Sequence, residues 1–108
     1  MKYQLPREFA TKWVAALREF PEQKHHKGEL QNAKDRSCYC AIGVSCLANN
    51  IDISDNGMSM IVDGEKVDYY EKFIFKDRLA YEIVNLNDRQ ELTFNEIADW
   101  IEANVEFV

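Results

Sequence analysis

Phe9, Trp13, Ala16, Leu17 and Phe20 recur at three- and four-residue intervals after Pro6, the spacing of one apolar helical stripe. Pro21 ends that helix, because the residue before a proline is driven out of helical geometry. Between Glu22 and Arg36 one isolated large apolar residue, Leu30, stands among mostly polar ones, which predicts a surface loop or irregular hairpin with Gly28 at an unusual backbone angle. The pattern then turns apolar. Ser37 is placed to cap a short buried helix from Cys38 to Asn49, in which Gly43 admits a close neighbouring backbone at about 1 kcal/mol of helix propensity. Asn49-Asn50 ends it.

Further on, Ser59-Met60-Ile61-Val62 and Glu65-Lys66-Val67-Asp68-Tyr69-Tyr70 flank Asp63-Gly64, a pair that reaches positive φ easily and so predicts a two-residue hairpin turn. Leu79, Ile83 and Leu86 resume helical spacing, Val84 widens the stripe, and Asn87-Asp88 marks its end. Thr93 and Glu96 fit a capping box ahead of a last helix with Phe94, Ile97, Ala98, Ile101 and Val105 on one face. The expected architecture is an α+β fold: a small single domain over residues 1–108, with about four helices and a β-hairpin.

Composition supports one core. At 108 residues and 46% hydrophobic, the chain can bury about two-thirds of its unfolded surface. No apolar run approaches the roughly 20 residues of a membrane span, and the N-terminal residues lack a secretory apolar centre, so a cytoplasmic protein with no membrane partner is expected. Three cysteines make a poor disulfide framework and read as free thiols. The net charge of −6 argues against nonspecific nucleic-acid binding, which depends on cations displacing counterions from phosphates. Cations nevertheless gather in Lys24-His25-His26-Lys27, Lys34 and Arg36, while acids dominate from Glu82 onward.

The order of motifs carries a resemblance. Phe9-Ala10-x-x-Trp13-Val14-x-Ala16-Leu17-Arg18, then Tyr39-Cys40-Ala41-Ile42-Gly43-Val44-x-Cys46, then Leu86-Asn87-Asp88 and Phe94-x-x-Ile97-Ala98-x-x-Ile101 resemble a family of small phage and bacterial proteins. That family pairs a tryptophan helix with a Cys-x-x-Gly-Val-x-Cys segment and a Leu-Asn-Asp turn before a final helix. This sequence departs from it at Ala41 and Ile42, where Cys or Leu is usual, and in its hairpin. The resemblance implies a phage or prophage origin and a shared fold, without an activity. By analogy with small phage accessory proteins, it also brings in sequestration of a host immune signal.

Four chemistries compete for these residues. Zinc could draw on Cys38, Cys40, Cys46, His25 and His26, but Cys-x-Cys is a poor knuckle, and on a helix Cys40 and Cys46 point about 240° apart. A thiol enzyme would use Cys38 or Cys40 with His25 or His26, against an apolar setting that favours inert, buried thiols. No metal or cofactor is therefore expected. The favoured reading is noncatalytic binding of a small anionic, nucleotide-like ligand. Lys24, His25, Lys27 and Arg36 would neutralise its charge beside the free N–H groups of the cysteine helix, with Arg89 an alternative cation. Tyr39 would stack on a base, and Asn87, Asn85 or Gln31 would read polar edges. The rival is an inhibitor or adaptor that docks to a host protein through Glu91, Glu96, Asp99 and Glu102. Trp13 belongs to the core stripe, whereas Trp100 lies off its stripe and suits either a neighbouring element or a second copy in a homodimer.

Overall fold

The computed structural model describes residues 3–67, 75–76 and 78–108. The chain runs β1 (Tyr3–Leu5), α1 (Arg7–Glu19), a 3-10 turn (Glu22–Lys24), α2 (Ala41–Ala48), β2 (Asp52–Ile53), β3 (Met60–Val62) and β4 (Glu65–Val67). It continues with α3 (Leu79–Val84), a π-helical turn (Asn85–Arg89), α4 (Phe94–Asn104) and β5 (Val105–Phe107). Four helices, a three-stranded antiparallel sheet and a two-stranded parallel pair form one α+β domain. Asp68, Tyr69 and Tyr70, the end of the expected second hairpin strand, lie outside the described residues.

Each helix forms where its apolar spacing placed it, and the differences lie at the ends. Pro6 precedes α1, Phe20 leaves it in extended geometry before Pro21, and Phe9, Trp13 and Leu17 are buried. Trp13 packs edge-on to Phe75 with ring centroids 5.4 Å apart, and its Nε1 donates to the Ala41 carbonyl at 2.8 Å, tying α1 to the start of α2. Thr93 and Glu96 make the expected capping box. Val105, expected in the last helix, instead starts β5, which pairs in parallel with β1 in the register Tyr3 with Val105 and Leu5 with Phe107. Two three-residue strands give too short a pattern to read from alternation, so this pairing was invisible in sequence. Trp100 is partly buried and packs its ring against that of Tyr3 in β1, with centroids 6.1 Å apart.

The second helix starts later than expected. Its N-cap is Cys40, whose sulfur accepts from the Gly43 N–H, and not Ser37. The backbone before it is already engaged: Tyr39 N–H donates to the Lys24 carbonyl at 3.0 Å and Cys40 N–H to the Leu30 carbonyl at 3.1 Å. Ser37 is held by Asp35, which accepts from both its N–H and its hydroxyl. Segments near residues 25, 31 and 39 thus form a small laddered core within the polar loop, with Tyr39 bridging to His25 on one side and to Gln31 on the other.

Two glycines make room for that ladder. A Cβ on Gly43 would stand 1.8 Å from the Leu30 carbonyl oxygen, and one on Gly57 would stand 1.9 Å from that of Gln31. The expected hairpin is present, with positive φ at Asp63 and Gly64 and Val62 opposite Glu65. Gly28 also has positive φ, but open space surrounds it. Gly43→Ala is therefore expected to lower unfolding free energy by at least about 2 kcal/mol through collision with backbone. Gly28→Ala should cost only about 1 kcal/mol through its dihedral angle. Urea unfolding of the two variants checks this, and equal costs would contradict it.

Candidate functional site

Most of the nominated cations are occupied by carboxylates. Lys24 Nζ lies 3.8 Å from Asp35, Lys27 is bonded to Glu91, and the His25 Nδ1 lies 3.0 Å from Glu22. Lys27 holds the exposed Glu91 carboxyl below its ordinary value, chiefly through their hydrogen bond. Asp35 is likewise lowered, first by the Ser37 hydroxyl and backbone N–H, then by Cys38 and Lys24. Arg89 is exposed on the π-helical turn, and it borders none of the cavities described below. The expected convergence of all these cations on one ligand is therefore not what the fold builds.

His25 and Asn87 join a buried internal network. The His25 ring stacks on Phe94 at 3.9 Å, with Nδ1 3.0 Å from a Glu22 oxygen and Nε2 2.5 Å from Asn87 Oδ1. Glu22 also accepts from the Phe94 N–H, which joins the 3-10 turn to the start of α4. Asn87 Oδ1 accepts from Ala41 N–H at 3.0 Å as well, while Nδ2 donates to the His26 carbonyl at 3.0 Å and to Asp88 Oδ1 at 2.7 Å. Both lone pairs of the oxygen and both amide hydrogens are used, leaving nothing for a ligand. Asn87 was expected to read a ligand edge, and its four internal bonds correct that assignment.

The same bonds close the start of α2 as an anion site. Ala41 N–H goes to Asn87, Gly43 N–H to the Cys40 sulfur and Val44 N–H to the Cys40 carbonyl. A phosphate would have to break internal bonds to dock there. The small hollow beside Cys40, Asn87 and Asp88 holds about 20 Å³, room for a water at most.

The thiols are equally settled by burial. Burial pushes both Cys40 and Cys46 up to about 12, outweighing the backbone N–H groups that face the Cys40 sulfur. Cys38 is half-buried, with its thiol directed at an Asp35 oxygen 3.5 Å away. Among the described residues no three His, Cys, Asp or Glu side chains form a group able to hold a metal ion.

Three of the nominated residues do share a cavity. A cleft of about 580 Å³ is bordered by Gln31, Arg36 and Tyr39 on one side and by the α2–β2 connection and β3 on the other. Its volume falls within the range of small-molecule sites. Leu47, Ile51 and Ile61 supply apolar wall, and Asn50 and Asp52 add polar groups that sequence reading missed. Those two lie next to a helix end and a two-residue strand, with no spacing that marks them as site residues.

Local turns position this wall. Asn32 Oδ1 accepts from the N–H groups of Lys34 and Asp35, and Asp35 Oδ1 from that of Ser37, so two consecutive side-chain turns carry Arg36 outward. Gln31 Nε2 donates to the Arg36 carbonyl at 2.6 Å and to the Tyr39 hydroxyl at 3.0 Å. The Tyr39 ring is braced edge-on by Phe20 at 5.6 Å. Arg36 Nη1 donates to the Asp55 carbonyl at 3.1 Å, and no carboxylate pairs with its guanidinium among the described residues. Gln31 Oε1 is buried without a hydrogen-bond partner.

Compared with protein-family models, curated proteins and solved structures, the chain matches none. The site therefore rests on its own geometry. Among the described residues, no helix is long and apolar enough to cross a membrane.

Iodoacetamide at neutral pH is expected to modify Cys38 alone in the native protein and all three cysteines after unfolding, as counted by intact mass. Rapid native modification at Cys40 or Cys46 would contradict the burial argument. Asn87→Ala should lower stability by about 2–4 kcal/mol, because it strands the Ala41 N–H and the His26 carbonyl. Chemical denaturation that shows a change below about 0.5 kcal/mol, the ordinary surface-substitution range, would contradict the network's role.

Proposed function

We propose that this chain is a noncatalytic binding protein for a small anionic, nucleotide-like ligand, held in the Arg36–Tyr39 cavity. The observation that carries the proposal is a guanidinium that no carboxylate among the described residues pairs with, beside a braced aromatic ring, both bordering one cleft of about 580 Å³. Arg36 keeps N–H donors for a phosphate, and the Tyr39 ring supplies a π surface for a planar group. Leu47, Ile51 and Ile61 provide apolar contact for the same group. Cys46 borders the cleft, and burial pushes its thiol up to about 12, away from the thiolate that nucleophilic chemistry needs.

The setting we propose is the cytoplasm of a bacterial host. There the protein would act as a phage accessory factor that withdraws a nucleotide-type immune signal, in keeping with the motif order of its Trp, Cys and Leu-Asn-Asp segments. The acidic-adaptor reading has less support, because Asp99 and Glu102 of the acidic helix both pair with Arg18.

Calorimetric titration of the full chain with ribonucleoside 5′-monophosphates and cyclic dinucleotides tests the reading. Arg36→Gln should weaken binding about tenfold or more, the scale of one charge-assisted contact. Tyr39→Leu should weaken it similarly through lost stacking. Lys27→Gln, outside the cavity, should leave affinity unchanged. Binding that depends on Lys27 and not on Arg36 would overturn the assignment.

A further inference from the structure

The cavity holds two opposite charges that do not neutralise each other. Asp52 borders the same cleft as Arg36, yet no ion pair joins them, and Arg36 spends its bond on the Asp55 carbonyl. The Asp52 backbone is fixed by pairing with Ile61 across the sheet, and Ile61 borders the cleft too. Cross-strand partners share a sheet face, so Asp52 and Ile61 stand side by side at the cleft, with Ile53 bordering it as well. Asn50, at the end of α2 with positive φ, sets its amide beside the same wall.

An ionised carboxylate only accepts hydrogen bonds, so Asp52 repels a phosphate and favours donors. The complementary ligand carries an anion toward Arg36 and a pair of hydroxyl or amine donors toward Asp52. Within the nucleotide class, the ribose cis-diol offers two donors to the two oxygens of one carboxylate. We infer that Asp52 is a specificity-determining residue that makes the cavity prefer ribonucleotides to 2′-deoxyribonucleotides. This inference rests on the proposed nucleotide site and adds sugar discrimination to it. A site that hydrogen-bonds a hydroxyl binds the analogue lacking it less tightly, by an amount that grows with the burial of the acceptor. Asp52 is exposed, so the preference is modest.

The test is titration of the full chain with AMP, GMP, CMP and UMP, each against its 2′-deoxy counterpart, for wild type, Asp52→Ala and Arg36→Gln. Wild type should favour the ribose form about tenfold, one hydrogen bond to a charged group. Asp52→Ala should bring the ratio within twofold of one, with a melting curve that confirms its fold; Asp52→Asn, which keeps one acceptor oxygen, should fall between. Equal ribose and deoxyribose affinities in wild type, with both lost in Arg36→Gln, would overturn sugar discrimination while leaving the nucleotide site standing. A ribose preference that persists in Asp52→Ala would also overturn it. Absence of binding by every nucleotide would overturn the site and the inference together.

Discussion

The approach of α2 to the backbone at Leu30 is the constraint on which the candidate site depends. Gly43 faces the Leu30 carbonyl so closely that any side chain there would collide with backbone, and Gly57 faces the Gln31 carbonyl in the same way. Leu30 and Gln31 are thereby clamped between a buried helix and the β2–β3 turn. Gln31 in turn holds the Arg36 carbonyl and the Tyr39 hydroxyl. A cleft wall made of loop residues is thus braced by core contacts, which would spare the proposed site ordering entropy on binding a ligand.

A second consequence is that charge in a loop does not make a site. Lys24, His25, His26 and Lys27 form the densest cationic run, yet each has a nearby acidic group. His25 and Asn87 act as a joint, linking the loop to α4 through Glu22 and Phe94 and to α2 through Ala41. Exposed pairs of this kind add little stability singly. They do offset the positive charge that a phosphate would need, which is why the proposed site is placed at Arg36.

Periodic segments were legible in the sequence and irregular ones were not. The stripes of α1 and α4, the Thr93–Glu96 box and the Asp63-Gly64 turn appear where spacing and turn chemistry placed them. Gly43 was legible as a close-approach residue because nothing else explains glycine in an apolar helix. The start of α2 was misplaced because Ser37 is a good cap in isolation, whereas Asp35 claims it and the loop ladder claims Tyr39 and Cys40. Of the nominated site residues, Arg36, Tyr39 and Gln31 border the cleft, while Asn87 is spent internally. Asn50 and Asp52 could be found only once tertiary structure brought β2 beside the loop.

The proposed ligand site is the Arg36–Tyr39 cleft and not the Lys24–Lys27 run. Backbone amide NMR of the labelled chain, recorded while a ribonucleoside monophosphate is added, reads this residue by residue. Saturable shifts are expected to concentrate at Gln31, Arg36, Tyr39, Asn50 and Asp52. Shifts confined to Lys24, Lys27 and Arg89, or a spectrum unmoved at millimolar nucleotide, would contradict it.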